Sequence, residues 1–269
     1  MLRSVSRVHR VSTRGFTTQW KQQRDADVYA YRAIKEGMRS RAAYKLDEIN
    51  KRFGNFLRQG AIVVDLGAAP GGFSVVASKH IHLKSITHDR WNSIEDMDSH
   101  FAPADIARSV GGMQVRRKFG QLICVDKQDM DPVPGAVFVR GDMNTDNTYQ
   151  KILYALNGKE ADVVISDMAP STTGQKEQDH FQIMQLAEEA LHVADKVLRN
   201  GGTFCCKIFS GGDEVDFRKD LESSFLKVKG FKPAASRKSS KEIYYIAKGF
   251  VPAHLTTELS DAKQDDHGE

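Results

Sequence analysis

Short apolar runs alternate with helix-length segments along most of this chain, and that alternation constrains the fold more than any other feature. The runs are AIVVDL (61–66), QLICVD (121–126), AVFVR (136–140), ADVVIS (161–166), GTFCCKIF (202–209), a short one near 227–232, and EIYYIAKG (242–249). They are strand-sized and rich in β-branched residues, as strands buried on both faces require. Between them lie helical patterns. Ala42, Leu46, Ile49 and Phe53 form a stripe over 39–53, and FSVVASKHI follows the glycines of GAAPGG. Met184, Ala187, Leu191, Ala194 and Leu198 form a long stripe that Asn200-Gly201-Gly202 should stop, and a further helix is predicted near 213–226. Alternating strands and helices predict an α/β fold, with a mostly parallel central sheet and helices on both faces. Such sheets bind ligands beyond the carboxyl ends of their strands.

Composition narrows the class. With 40% hydrophobic and 28% charged residues in 269, the chain can bury a core and is neither disordered throughout nor a disulfide-stapled miniprotein. No apolar run approaches the roughly 20 residues that cross a bilayer, so no membrane partner is expected. The net charge of +4 comes largely from the first 24 residues, which carry Arg3, Arg7, Arg10, Arg14, Lys21 and Arg24 and no acid. That segment is rich in Ser and Thr, and Leu2, Val5, Val8 and Val11 recur every third residue. This is the composition of a mitochondrial transit peptide, which predicts a matrix protein; a basic RNA-touching arm is the alternative. Residues 25–255 form the predicted domain, and 256–269 an acidic disordered tail. Residues 83–120, with Trp91 and Arg116-Arg117-Lys118, are too long for a simple return to the sheet and read as a surface insertion. Cys124, Cys205 and Cys206 lie in strand-like runs without metal spacing, and adjacent Cys205 and Cys206 should face opposite ways. No structural metal is expected.

Chemistry-bearing residues collect at strand ends. Asp65-Leu66-Gly67-Ala68-Ala69-Pro70-Gly71-Gly72-Phe73 joins a strand to a helix. It is neither G-x-G-x-x-G nor a P-loop, so diphosphate cradling is not indicated. An acid beside small residues suits a ligand with an ammonium group and no phosphates, such as S-adenosylmethionine; a packing turn is the plainer alternative. Asp126, Asp142 and Asp167 follow three further strands; each alone reads first as a turn former, but three at successive strand ends should face one crevice. Lys207 within an apolar strand is either paired or has its head in water. Lys45 borders the stripe of its helix beside Arg41 and Arg52, where a snorkelling lysine is the default. Glu242 opens the last strand after Ser236-Arg237-Lys238-Ser239-Ser240-Lys241.

Five blocks in order, SRAAYKL (40–46), DLGAAPGGF (65–73), SDMAP (166–170), CKIF (206–209) and SRKSSKEIY (236–244), resemble the FtsJ family of RNA ribose 2′-O-methyltransferases. The similarity runs from about residue 37 to 250. It implies a Rossmann-like methyltransferase fold, S-adenosyl-L-methionine as cofactor, and a Lys-Asp-Lys-Glu tetrad at Lys45, Asp167, Lys207 and Glu242. It also implies cofactor contacts at Gly71, Phe73, Asp126, Asp142 and Asp167. Asp89 is nearer the glycine turn in sequence, but VDKQDMDP resembles the family's segment after the strand and assigns that role to Asp126. The compact length resembles the subgroup that methylates a uridine in the A loop of large-subunit rRNA, with the pre-ribosomal large subunit as partner.

On that resemblance, Lys207 is the candidate base. A free lysine titrates near 10.4, so burial, Lys45 and the sulfonium must favour its neutral form against the pull of Asp167 and Glu242. Arg39, Arg41 and 236–241 are the predicted phosphate contacts. The rival expectations are an assembly factor that binds RNA without chemistry, a tRNA methyltransferase of the same family, and a nicotinamide-dependent dehydrogenase.

Overall fold

The computed structural model describes residues 28–84, 117–170, 174–211, 214–237 and 239–253. The expected leader (1–24), the acidic tail (256–269), Lys238 and the inner part of the insertion lie outside them. Among the described residues, seven strands form one sheet: β1 (Ile62–Leu66), β2 (Gln121–Asp126), β3 (Val137–Arg140), β4 (Ala161–Ser166), β5 (Leu198–Phe209), β6 (Phe225–Phe231) and β7 (Glu242–Phe250). Their spatial order is β3-β2-β1-β4-β5-β7-β6. The first five run parallel, and β7 is antiparallel to both β5 and β6. The expected mostly parallel α/β sheet is therefore present.

The helices are α1 (Val28–Lys35), α2 (Ala42–Arg52), α3 (Gly72–His80), α4 (Asp146–Leu156), α5 (Lys176–Val197) and α6 (Glu214–Ser224). One apolar layer joins α4, α5 and α6 to the face bearing Val64, Val164 and Cys206. The other joins α2 and α3 to the face bearing Val63, Ile165, Cys205 and Tyr244. Strand alternation thus sends Cys205 and Cys206 into different layers, as their adjacency predicts.

One expectation about the elements needs correction, and two helices are additions to it. Helices α1 and α4 were not legible as apolar stripes. Helix α4 buries only Thr148, Ile152, Ala155 and Leu156, and its start is set by Thr145, whose hydroxyl accepts the Thr148 amide at 3.3 Å. Asn200-Gly201-Gly202 does not stop α5. The helix ends at Val197, Leu198 turns extended, and those residues lie within β5 beside a register shift.

The insertion leaves and returns at adjacent points. Leu83 and Gly120 form a parallel bridge, and the amides of Gly60 and Gly120 both donate to the Ile81 carbonyl at 3.0 Å. Arg117 secures the return. Its Nε donates to the Gly60 carbonyl at 2.9 Å, and its Nη2 reaches Asp162 at 2.5 Å. The Asp162 carboxylate also accepts the Ile62 amide at 2.8 Å and Arg199 Nε at 2.7 Å. Replacing 85–116 by a short Gly/Ser linker is therefore expected to preserve cooperative unfolding, with a gain of roughly 1–2 kcal/mol from the shorter loop. Thermal and urea melts check this; loss of the cooperative transition would show that the segment is part of the core.

Beneath the glycine turn, Asp65 is wholly buried on the α3 side, its Oδ2 accepting the Ser74 hydroxyl at 2.5 Å, with Cys124 beside Ser74. The expectation that Asp65 faces a ligand is wrong. It shares a face with Val63, below the turn. Burial pushes this carboxyl up from 3.8 to about 8. The folded protein thus holds the proton more tightly than the unfolded chain. The group's stabilising effect is complete below about pH 4 and is lost as pH rises towards 8. The difference in stability between Asp65→Asn and the parent should therefore grow in the variant's favour across that window and level off above it, as read by urea melts at stepped pH.

Candidate active site

The turn after β1 is shaped by what presses on it. Gly67 has φ +72°, and an added Cβ would lie 2.2 Å from Met168 Cγ. Gly71 has φ +103°, and an added Cβ would lie 2.5 Å from Arg39 Nη1. Any side chain at either place would be strained and would collide. The Gly67 and Ala68 amides donate to the Val125 carbonyl at 2.9 and 3.1 Å, which ties the turn to β2. Arg39 lies across Gly71, with Nη2 on the Pro132 carbonyl at 2.6 Å and Nη1 on the Asp131 carbonyl. The structure commits this guanidinium to the β2–β3 connection, whereas the sequence expectation put it on RNA phosphates.

Three of the predicted acids line the carboxyl ends of neighbouring strands. Asp126, at the end of β2, accepts the Ala69 amide at 2.9 Å and the Gln128 amide at 2.7 Å, so it reaches directly onto the glycine turn. Asp89 lies outside the described residues. Asp142, just past β3, accepts Lys127 Nζ at 2.7 Å and the Asn144 amide at 3.1 Å; these bonds hold it below the usual carboxylate range. Asp167 follows β4. Gly71 lies in the turn after β1, the strand between β2 and β4, whereas the Phe73 ring is buried, tilted against Tyr244 at 6.1 Å. At 2% exposure the ring presents no open face for stacking.

The four tetrad residues converge. Lys207 Nζ lies 2.9 Å from Asp167 Oδ1 and 2.5 Å from its carbonyl oxygen. Lys45 Nζ lies 2.7 Å from Glu242 Oε1. The two lysines are only 8% and 6% exposed, so neither snorkels into water. Register explains the meeting. Lys207 of β5 stands opposite Tyr244 of β7, and Glu242, two residues earlier, shares that strand face. Helix α2 covers this face and delivers Lys45 from above. Burial is the largest single influence on Glu242 and would raise it, but the Lys45 charge and hydrogen bond, together with the Ser236 hydroxyl, outweigh it and hold the carboxyl below its ordinary value. Each buried ammonium is compensated, and removing either partner would strand a charge.

Helix α2 also gathers the basic loop between β6 and β7. Arg41 donates to the Ala235 carbonyl, and Glu48 accepts the Ala234 amide at 2.8 Å. Arg41 thus anchors the loop, while Lys232, Arg237 and Lys241 are exposed beside the tetrad. Sequence reasoning missed Tyr244, whose hydroxyl donates to Asp167 Oδ1 at 2.6 Å. The signal was its two-residue spacing from Glu242. The cysteines offer no nucleophile, since all three are buried and burial pushes their thiols up. Among the described residues, no group of His, Cys, Asp or Glu could hold a metal ion. What remains is a crevice with acids at one end and two compensated amines at the other. It suits a cationic cofactor beside a polar nucleophile.

Comparison with known proteins agrees with this layout. Residues 38–250 match the model of the FtsJ-like methyltransferases. The ribosomal RNA large subunit methyltransferase E of Roseobacter denitrificans is 39% identical over 234 residues, covering 87% of this chain and 85% of that protein. The protein of the same name from Parvibaculum lavamentivorans is also 39% identical, over 87% of this chain and 82% of its own. A Plasmodium falciparum structure described as a ribosomal RNA methyltransferase superposes with a TM-score of 0.61 at 25% identity, over 80% of this chain and 99% of that one. With its glycine turn, strand-end acids and converged tetrad, the chain belongs to the FtsJ-like methyltransferase family.

Proposed function

We propose that the protein transfers a methyl group from S-adenosyl-L-methionine to a ribose 2′-hydroxyl of large-subunit rRNA, a uridine of the A loop, in the mitochondrial matrix. The observation that carries the reading is the pair of buried lysine–carboxylate contacts, at 2.7 and 2.9 Å, set beside the glycine turn. The residues fit the cofactor. Gly71 permits close backbone approach, Asp126 and Asp142 offer oxygens to hydroxyl and amino groups, and the acids balance a cation. When bound, the cofactor supplies an electrophilic methyl group on a positively charged sulfur. Asp167 fixes Lys207 at the mouth of β5, where the lysine, once it has released its own proton, can take the proton of an incoming hydroxyl. Lys45, held by Glu242, keeps a positive charge facing the oxygen as it gains negative character. The names of the bacterial relatives support rRNA as substrate. The arginine-rich, acid-free opening supports the mitochondrial address.

Purified protein with radiolabelled cofactor and unmodified large-subunit rRNA, followed by mapping of the 2′-O-methyl group, tests the reading; label in tRNA alone, or none in either RNA, would overturn it. Lys207→Ala should retain cofactor binding by calorimetry yet lose about a hundredfold or more in turnover. RNA affinity should fall steeply with salt. The double variant Arg237→Gln/Lys241→Gln should flatten the slope of log affinity against log salt by about 1 for each phosphate that is no longer neutralised.

A further inference from the structure

Tyr244 touches both ion pairs of the site. It has no exposed surface, and it faces Lys207 directly across the β5–β7 ladder. Its hydroxyl donates to Asp167 Oδ1, the same oxygen that receives Lys207 Nζ. Its ring lies beneath Lys45, whose Nζ is 5.7 Å from the ring centroid, within reach of a cation–π attraction. A phenylalanine would fill this space equally well against Phe73. Asp167 is already paired with Lys207, so the hydroxyl is not needed to satisfy a stranded charge.

We propose that Tyr244 is a positioning residue that sets how tightly Asp167 holds the ammonium form of Lys207. This rests on the methyltransferase reading for its meaning, but not for its test. A carboxylate oxygen shared between a phenol and an amine gives each less negative charge than it would give one partner. The phenol remains a donor across the working range. Burial, followed by the Asp167 and Glu242 charges, holds its proton well above the ordinary tyrosine value. The cation–π attraction to Lys45 fixes the ring, so the hydroxyl cannot swing away from Asp167 without disturbing the other pair.

Tyr244→Phe keeps the ring and deletes the hydroxyl, and it should act in a defined direction. Asp167 then leans wholly on Lys207, which favours the ammonium. Turnover at neutral pH should fall about tenfold, the scale of one hydrogen bond to a charged group. The alkaline-rising limb of the pH–rate profile should move to higher pH and recover turnover there, with cofactor affinity unchanged. Independently of any RNA, a 13C NMR titration of the lysine Cε carbons should show the Lys207 midpoint rising by about one unit relative to the parent. An unmoved midpoint overturns the proposal, as does a variant that loses cofactor affinity, which would make Tyr244 a support of the fold. If the midpoint moves while the parent fails to methylate rRNA, the role of Tyr244 stands and the assigned substrate falls.

Discussion

Two ammonium groups are carried out of water on one face of a sheet, and the rest of the site follows from the need to compensate them. An unpaired buried lysine is expensive enough to change its protonation or unfold its surroundings. Here each has a carboxylate within 3 Å, drawn from a different element: Lys45 from α2 with Glu242 from β7, and Lys207 from β5 with Asp167 after β4. Such a set assembles only if β7 lies between β5 and β6, antiparallel, with Glu242 and Tyr244 on the α2 face. The reversed strand is what makes a buried tetrad possible on an otherwise parallel sheet.

The cofactor side is built with different means. The glycine turn is tied by its Ala69 amide to the Asp126 carboxylate. It is shaped by neighbours that leave no room for side chains: Met168 against Gly67, Arg39 across Gly71, and the Val125 carbonyl beneath two amides. Met168 belongs to the same segment as Asp167, so the strand end that presents the carboxylate paired with Lys207 also sets the shape of the turn.

The strand pattern was readable because parallel strands buried on both faces leave continuous apolar runs. The same continuity hid the orientation of Asp65, since a run apolar at every position does not say which face an acid within it takes. Lys45 was ambiguous for a related reason. The buried face of α2 includes Ala43, Lys45, Leu46, Ile49 and Asn50, a slight rotation from the stripe through Ala42 and Phe53. Asn50 is on that face because its side chain accepts the Leu57 amide, a local bond that hydropathy cannot register. Arg39 was misjudged because an exposed-looking arginine gives no hint that two backbone carbonyls 92 and 93 residues away will claim it. Motif order found the tetrad; the spacing of Tyr244 from Glu242 hinted at a shared face, and the β5–β7 register set that face against Lys207.

Strand β4 carries an aspartate near each end, and the two do unrelated work. Asp162, at the amino end, joins two guanidinium groups and a backbone amide into the floor of the molecule. Asp167, beyond the carboxyl end, holds Lys207 and Tyr244 in the candidate active site. Stability and reactivity are therefore stationed at opposite poles of a single short strand. A lesion at the lower pole governs how many folded copies a cell keeps; a lesion at the upper one governs what each copy accomplishes. The two classes of defect can be separated by abundance alone.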